Sequence, residues 1–184
     1  MSVSPELDAR FRAAAVRDGL VDVRYDLVES PVGQLVLAAT ERGLCRISYT
    51  VDGADDELAR SFGARVLRTA LDEVRRELDE YFAGRRQAFD LRLDLRASGF
   101  QEAVLHELAR VPYGQTDTYG HLAAKVGKPR AARAVGMVMN RNPIPIVLPC
   151  HRIVGANGAL TGYAGGLHVK RALLELEGAT LPAG

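Results

Sequence analysis

The 184-residue chain has only two cysteines, Cys45 and Cys150, too few for a disulfide scaffold or a four-ligand cysteine zinc site. It has no apolar run approaching the ~20 residues that span a bilayer. Glu6 and Asp8 interrupt the opening residues, which therefore do not read as a secretory signal. The first 99 residues lack lysine and histidine altogether. An excess of charge is also missing: 24 Lys/Arg face 23 Asp/Glu, so the total of +1 gives no sign of a nucleic-acid partner. At 47% hydrophobic and 26% charged, the composition excludes a collagen, a disordered chain and a coiled-coil rod. The expectation is one or two small domains in a soluble, cytoplasmic protein with reduced thiols.

The charge that is present is unevenly placed. Residues 1–99 hold 15 Arg against 18 Asp/Glu, net −3, whereas residues 100–184 hold nine Lys/Arg against five Asp/Glu, net +4, and all four histidines. The division suggests a scaffold of residues 1–99 and a second domain of residues 100–184 that faces an anion.

Ser4-Pro5-Glu6 has the form of a helix start, with a helix to about Arg17. Strand-like stretches follow at 21–28, 33–39 and 43–49, the last placing Cys45, Ile47 and Tyr49 on one face. Short links between them predict an antiparallel meander. Leu67, Leu71, Val74, Leu78 and Phe82 predict one helix over 66–82, and residues 88–95 predict a strand or an extended connector. Helices are expected at 100–109, 119–126 and 130–139. The last two, joined by Gly127-Lys128-Pro129, fit a helix-turn-helix. On the second of these, Ala131, Val135, Val138 and Met139 face inward and Arg133 faces away, among the small residues Ala132, Ala134 and Gly136.

The segment from Asn142 to Arg152 carries the chemistry. Pro143, Pro145 and Pro149 remove three donors, and with Ile144, Ile146, Val147 and Leu148 they predict a rigid, buried, non-helical strand. It delivers Cys150 with His151 beside it. A thiol attacks as thiolate, and an imidazole can take its proton directly or through one water. Side chains adjacent on an extended strand point apart, so such a dyad needs a turn at Cys150. Cys45, on an apolar strand face, reads as core packing. A last helix over 167–177 ends at Glu177, where a carboxylate opposes the helix dipole. That locally disfavoured choice makes Glu177 a candidate to orient the imidazole. The glycine-rich loop from Gly162 to Gly166 could wall a pocket for a flat ring, lined by Tyr163.

Pro149-Cys150-His151-Arg152, preceded by Asn142-Pro143 and followed by Thr161-Gly162-Tyr163-Ala164-Gly165-Gly166 and Leu173-Leu174-Glu175-Leu176-Glu177-Gly178, resembles the O6-alkylguanine-DNA alkyltransferases. Pro112-Tyr113-Gly114 and Ala131-Ala132-Arg133-Ala134-Val135-Gly136 match as well. The resemblance implies an α+β fold: a small antiparallel sheet with a helix, ribonuclease H-like, then a mostly helical domain with the helix-turn-helix. It implies that Cys150 accepts the alkyl group, His151 acts as base through a water, Glu177 orients His151, and Asn142 fixes the turn. Tyr119 would place a hydroxyl near guanine N3 and help rotate the nucleotide, and Arg133 would fill the gap in the base stack. The Leu148 carbonyl would take the guanine amine, the Tyr163-Ala164 backbone would face O6, and Gln101, Lys128 and Arg130 would contact the DNA backbone. The implied partners are double-stranded DNA, entered through the minor groove, and the alkylated guanine base. No cofactor and no membrane are implied. A monomer is expected, with cooperative binding along DNA left open. The zinc site of some relatives cannot form without histidine in residues 1–99. His106 stands where the family often has tryptophan.

Three other readings stay open on the residues alone. They are a lesion-binding alkyltransferase-like protein, against which Cys150 argues; a helix-turn-helix regulator that senses alkylation; and a turnover Cys-His-Glu hydrolase, which would need an oxyanion hole.

Overall fold

The computed structural model describes residues 4–50, 52–62 and 65–180. Helix α1 (Pro5–Arg17) starts where the sequence predicts, with the Ser4 hydroxyl accepting the Leu7 N–H at 3.2 Å. Strands β1 (Val23–Val28), β2 (Leu35–Thr40) and β3 (Gly43–Ser48) form the expected antiparallel meander. Helix α2 (Ala54–Phe62) was not foreseen. Strand β4 (Val66–Arg68) then joins β1 in parallel, giving the order β3-β2-β1-β4, and helix α3 (Asp72–Phe82) follows.

The stretch predicted as one helix over 66–82 is therefore a strand and a helix, and the sheet is mixed. The open edge of β1 captures the first residues, extended by Thr69 N–H to the Tyr25 carbonyl at 2.9 Å. The buried Asp26 carboxylate then accepts the Leu71 N–H at 2.9 Å and pairs with Arg75 at 2.5 Å, turning the chain into the helix. Tertiary pairing of this kind overrides local periodicity.

Both faces of β2 are covered, which explains its unbroken apolar run. Leu35, Leu37 and Ala39 join the larger core with Val74, Leu78 and Tyr81, while Val36 and Ala38 join a smaller one with Val23, Ala54 and Leu58. The expected common face of Cys45, Ile47 and Tyr49 does not exist. A register shift opposite Ala38 and Ala39 bulges β3, so Cys45 packs in the smaller core and Ile47 in the larger. Cys45 is buried packing, as expected. Residues 88–95 are an extended connector with one bridge, Leu44 to Leu93. A side chain on Gly43 would collide with the Arg92 carbonyl, so only glycine admits the connector there.

The second half runs α4 (Gly99–Ala109), β5 (Asp117–Thr118), α5 (Tyr119–Lys125), α6 (Ala132–Asn140), β6 (Ile153–Val154) and α7 (Leu167–Leu176). The two-residue strands β5 and β6 pair in parallel and were not anticipated. Helices α5 and α6 are the predicted helix pair, with Leu122, Ala123, Val135, Val138 and Met139 buried. Arg130, expected at the start of α6, lies in the preceding turn. The larger core is continuous from the sheet into these helices. Among the described residues, no helix is long and apolar enough to cross a membrane.

Candidate active site

The proline-rich segment is buried and non-helical up to Pro149, but it is a chain of turns and not a strand. Ile146 has φ +75°, a conformation costly for a β-branched residue, on the order of 1–3 kcal/mol. Its surroundings hold it there. The Ile146 side chain is fully buried, the Leu148 N–H donates to the Ile144 carbonyl at 2.9 Å, and Asn142 straps the turn from inside. Asn142 Oδ1 accepts the Ile144 N–H at 3.1 Å, and its Nδ2 donates to the Leu148 carbonyl at 2.8 Å. That carbonyl also accepts the Cys150 N–H at 2.8 Å. Both of its lone pairs are thus engaged within the segment.

The segment ends in a 3-10 turn, Cys150–Arg152, which supplies the bend a Cys-His dyad needs. Cys150, His151 and Arg152 are all buried there. Glu177, at the C-terminal cap of α7, comes to meet them. Its Oε1 accepts from His151 Nε2 at 2.8 Å, from the Tyr81 hydroxyl at 2.7 Å and from Arg152 Nη2 at 2.9 Å. Its Oε2 accepts from Arg152 Nε at 2.9 Å and from the Gly114 N–H at 3.3 Å. The acid that looked misplaced at a helix end is thus held by five donors.

The protonation states follow. Burial works to raise the Glu177 pKa, but the hydrogen bonds from His151 and Arg152 prevail and hold it down at about 2. His151 is also lowered from its ordinary value, but by burial itself, which Glu177 only partly opposes. At neutral pH the site is a carboxylate facing a neutral imidazole. Nε2 donates to the carboxylate, so Nδ1 carries the lone pair. Nδ1 is buried and has no hydrogen-bond partner among the described residues. Burial pushes the Cys150 thiol up to about 11, with Asn142 and the Lys170 ammonium opposing without prevailing. The resting site therefore holds a protonated thiol and, on the next residue, a buried imidazole whose Nδ1 is unprotonated and unpartnered among the described residues.

Other predicted residues surround this centre. Tyr119 opens α5, and its hydroxyl oxygen accepts from Thr161 Oγ1 at 3.0 Å. Arg133 is exposed on α6, with Met137 exposed one turn later. Lys128 and Arg130 are exposed in the turn before α6, and Gln101 is half-buried on α4. Tyr163 is half-buried and stands edge-on to His151, ring centroids 6.4 Å apart, while Ala164 is exposed. His106 is on the exposed side of α4.

Three participants were missed. Arg152 lay inside the quoted motif without a role, yet it is the main counter-charge of Glu177 and also donates to the Val111 carbonyl at 2.6 Å. Lys170 is fully buried on α7 and donates to the carbonyls of Ile153 at 2.5 Å and Thr161 at 2.8 Å. Burial lowers its pKa to about 8. A lysine in register with Leu173 and Leu174 was the available signal. Tyr81 sits on the inward stripe of α3, but nothing local ties it to a residue 96 positions away.

This geometry has close counterparts. Residues 23–95 match the family model of the 6-O-methylguanine DNA methyltransferase, ribonuclease-like domain, and residues 99–179 match that of its DNA binding domain. A methylated-DNA–protein-cysteine methyltransferase of Methanosarcina barkeri is 43% identical over 153 residues, covering 83% of this chain and 96% of the relative. The crystal structure of Mycobacterium tuberculosis O6-methylguanine methyltransferase superposes with a TM-score of 0.76 at 41% identity, covering 88% of this chain and 96% of that one. The M. tuberculosis OGT solved in complex with DNA gives 0.75 at 41% identity, covering 84% and 92%. Matched in both halves and along most of its length, the chain belongs to the methylated-DNA–protein-cysteine methyltransferase family.

Proposed function

We propose that the chain repairs DNA by direct reversal, extruding O6-alkylguanine (and, less well, O4-alkylthymine) from the duplex and transferring the alkyl group irreversibly to Cys150. A base inside the stack offers no line of attack to a buried thiol, so it must leave the helix, at a cost of a few kcal/mol. Arg133, exposed on α6 beside the small residues Ala132, Ala134 and Gly136, fills the vacated place. Gln101, Lys128 and Arg130 hold the backbone, and the small residues of α6 let the minor groove approach. Residues 1–99 serve as scaffold, and residues 100–184 bind DNA and accept the alkyl group. The protein works as a monomer in the cytoplasm, on the nucleoid if the source is bacterial.

In the pocket, the thiol proton passes through one water to His151 Nδ1. The new imidazolium is stabilised by Glu177, whose own charge Arg152 balances. The sulfur forms its bond to the alkyl carbon as the carbon–O6 bond breaks, and the electron pair goes to the guanine. The Tyr119 hydroxyl accepts from Thr161, so its own proton is free to be donated near N3 and neutralise the leaving base. The product is a thioether, which has no electrophilic carbonyl for water to attack, so each molecule acts once.

The observation that carries this reading is the buried His151 beside Cys150, with Nε2 committed to Glu177 and Nδ1 left as an acceptor. Incubation with a duplex containing O6-methylguanine, followed by intact mass measurement, tests it. Wild type is expected to gain one methyl group per molecule, and Cys150→Ser to gain none. Repeated turnover with free methylated product would refute it.

A further inference from the structure

The Thr161–Gly166 stretch passes beside His151 through Tyr163, and its two ends are tied within the second half. Lys170 Nζ holds the Thr161 carbonyl, and the Gly166 N–H donates to the Tyr163 carbonyl at 3.0 Å. Its middle is reached from the other half of the chain. Tyr49 follows directly after β3, and its hydroxyl is 2.8 Å from that of Tyr163. The two rings meet edge to face at 5.9 Å. Tyr49 also lies flat against Gly165: a methyl group built on that glycine would come within 3.0–3.1 Å of three Tyr49 ring carbons. Tyr163 in turn stands edge-on to His151. The same strand grips the reactive segment, since the Ile47 N–H donates to the Pro143 carbonyl at 2.9 Å. A cleft of about 250 Å³ between these parts is lined by Tyr49, Asn142, Pro145 and Ala164.

We infer that Tyr49 is a positioning residue that fixes Tyr163 and Gly165 against the acceptor site, so that the N-terminal sheet sets the width of the pocket and with it the preference for small over bulky alkyl groups. The inference rests on the alkyl-transfer reading. Burial raises the pKa of both phenols, so the hydroxyl pair stays protonated and intact throughout the working pH range. The two contacts of Tyr49 are separable. Tyr49→Phe keeps the ring against Gly165 and loses the hydrogen bond to Tyr163. Tyr49→Ala loses both.

The test compares single-turnover rates of wild type, Tyr49→Phe and Tyr49→Ala on duplexes carrying O6-methylguanine or O6-benzylguanine. Amide hydrogen exchange over residues 161–166 is followed in parallel. The methyl-to-benzyl rate ratio should fall about three- to tenfold in Tyr49→Phe, the range of one net hydrogen bond. It should fall further in Tyr49→Ala, and exchange in 161–166 should quicken in the same order. An unchanged ratio in both variants, or an equal slowing of both substrates, overturns the inference. Wild-type protein that takes up neither alkyl group would sink the alkyl-transfer reading. In that event unchanged exchange in 161–166 would still sink the positioning role of Tyr49, and quickened exchange would sustain it.

Discussion

At the scale of single residues, the site is organised around one carboxylate. Glu177 is buried with Arg152, His151 and Tyr81, and removing either Glu177 or Arg152 leaves the other's charge buried without its partner. Two groups then tie stability to acidity in the same direction. Burial keeps His151 below its ordinary 6.5 in the folded state, so below that pH the unfolded chain binds the extra proton and stability falls. Glu177 sits at about 2 against an ordinary 4.5, so its contribution is complete above 4.5 and is lost as pH drops toward 2. The urea midpoint should decline from about pH 6.5 downward and again below about 4.5. Glu177→Gln should flatten the second decline and lose about 3–5 kcal/mol at neutral pH, because Arg152 stays buried without its counter-charge. A midpoint that stays level from neutral pH to about pH 4 would contradict this. Cys150 and His151 were legible as a pair because an adjacent thiol and imidazole after three prolines is a rare pattern. Arg152 and Tyr81 were not, because their value lies in meeting a carboxylate that is distant in sequence.

At the scale of elements, the helix pair α5 and α6 was read from its own periodicity. Buried Val135, Val138 and Met139 fix the inward face of α6, and that leaves Arg133 outside. If Arg133 occupies the gap left by the extruded base, Arg133→Ala should slow repair of duplex DNA by far more than it slows reaction with a free alkylguanine base. Equal slowing of both would remove Arg133 from extrusion. The stretch 66–82 shows where periodicity fails. Its apolar spacing suited a helix throughout, but the first turn was worth more as β4, where β1 offered unpaired backbone groups and Asp26 a ready helix start. The reactive segment fails in the opposite way. Apolar residues and prolines suggested an extended run, whereas Ile146 at positive φ and the Asn142 strap fold it into turns. Neither a positive φ at isoleucine nor a bulge beside Cys45 follows from local preference, since both are imposed by neighbours.

At the scale of the whole molecule, a charge of +1 conceals an acidic sheet half and a basic helical half. The two share one continuous core, so the pocket around Cys150 is packed from both sides. Alkylation adds volume to a cysteine that is only 4% exposed, which should cost ~1–3 kcal/mol through overpacking. The fully methylated protein should melt at a lower temperature than the free form, and an unchanged melting temperature would refute this. The sequence by itself determined the identities of the reactive groups, the helix pair, the strand meander and the uneven charge. These depend on residue type and short spacing, which a linear chain carries openly. The tertiary structure alone decided the coverage of both sheet faces, the parallel β4, the turn at Cys150, the five donors on Glu177 and the grip of Tyr49 on the pocket loop. Apart from that local turn, each of these is a contact between residues far apart in the chain, and its free energy exists only once packing has brought the partners together and excluded water.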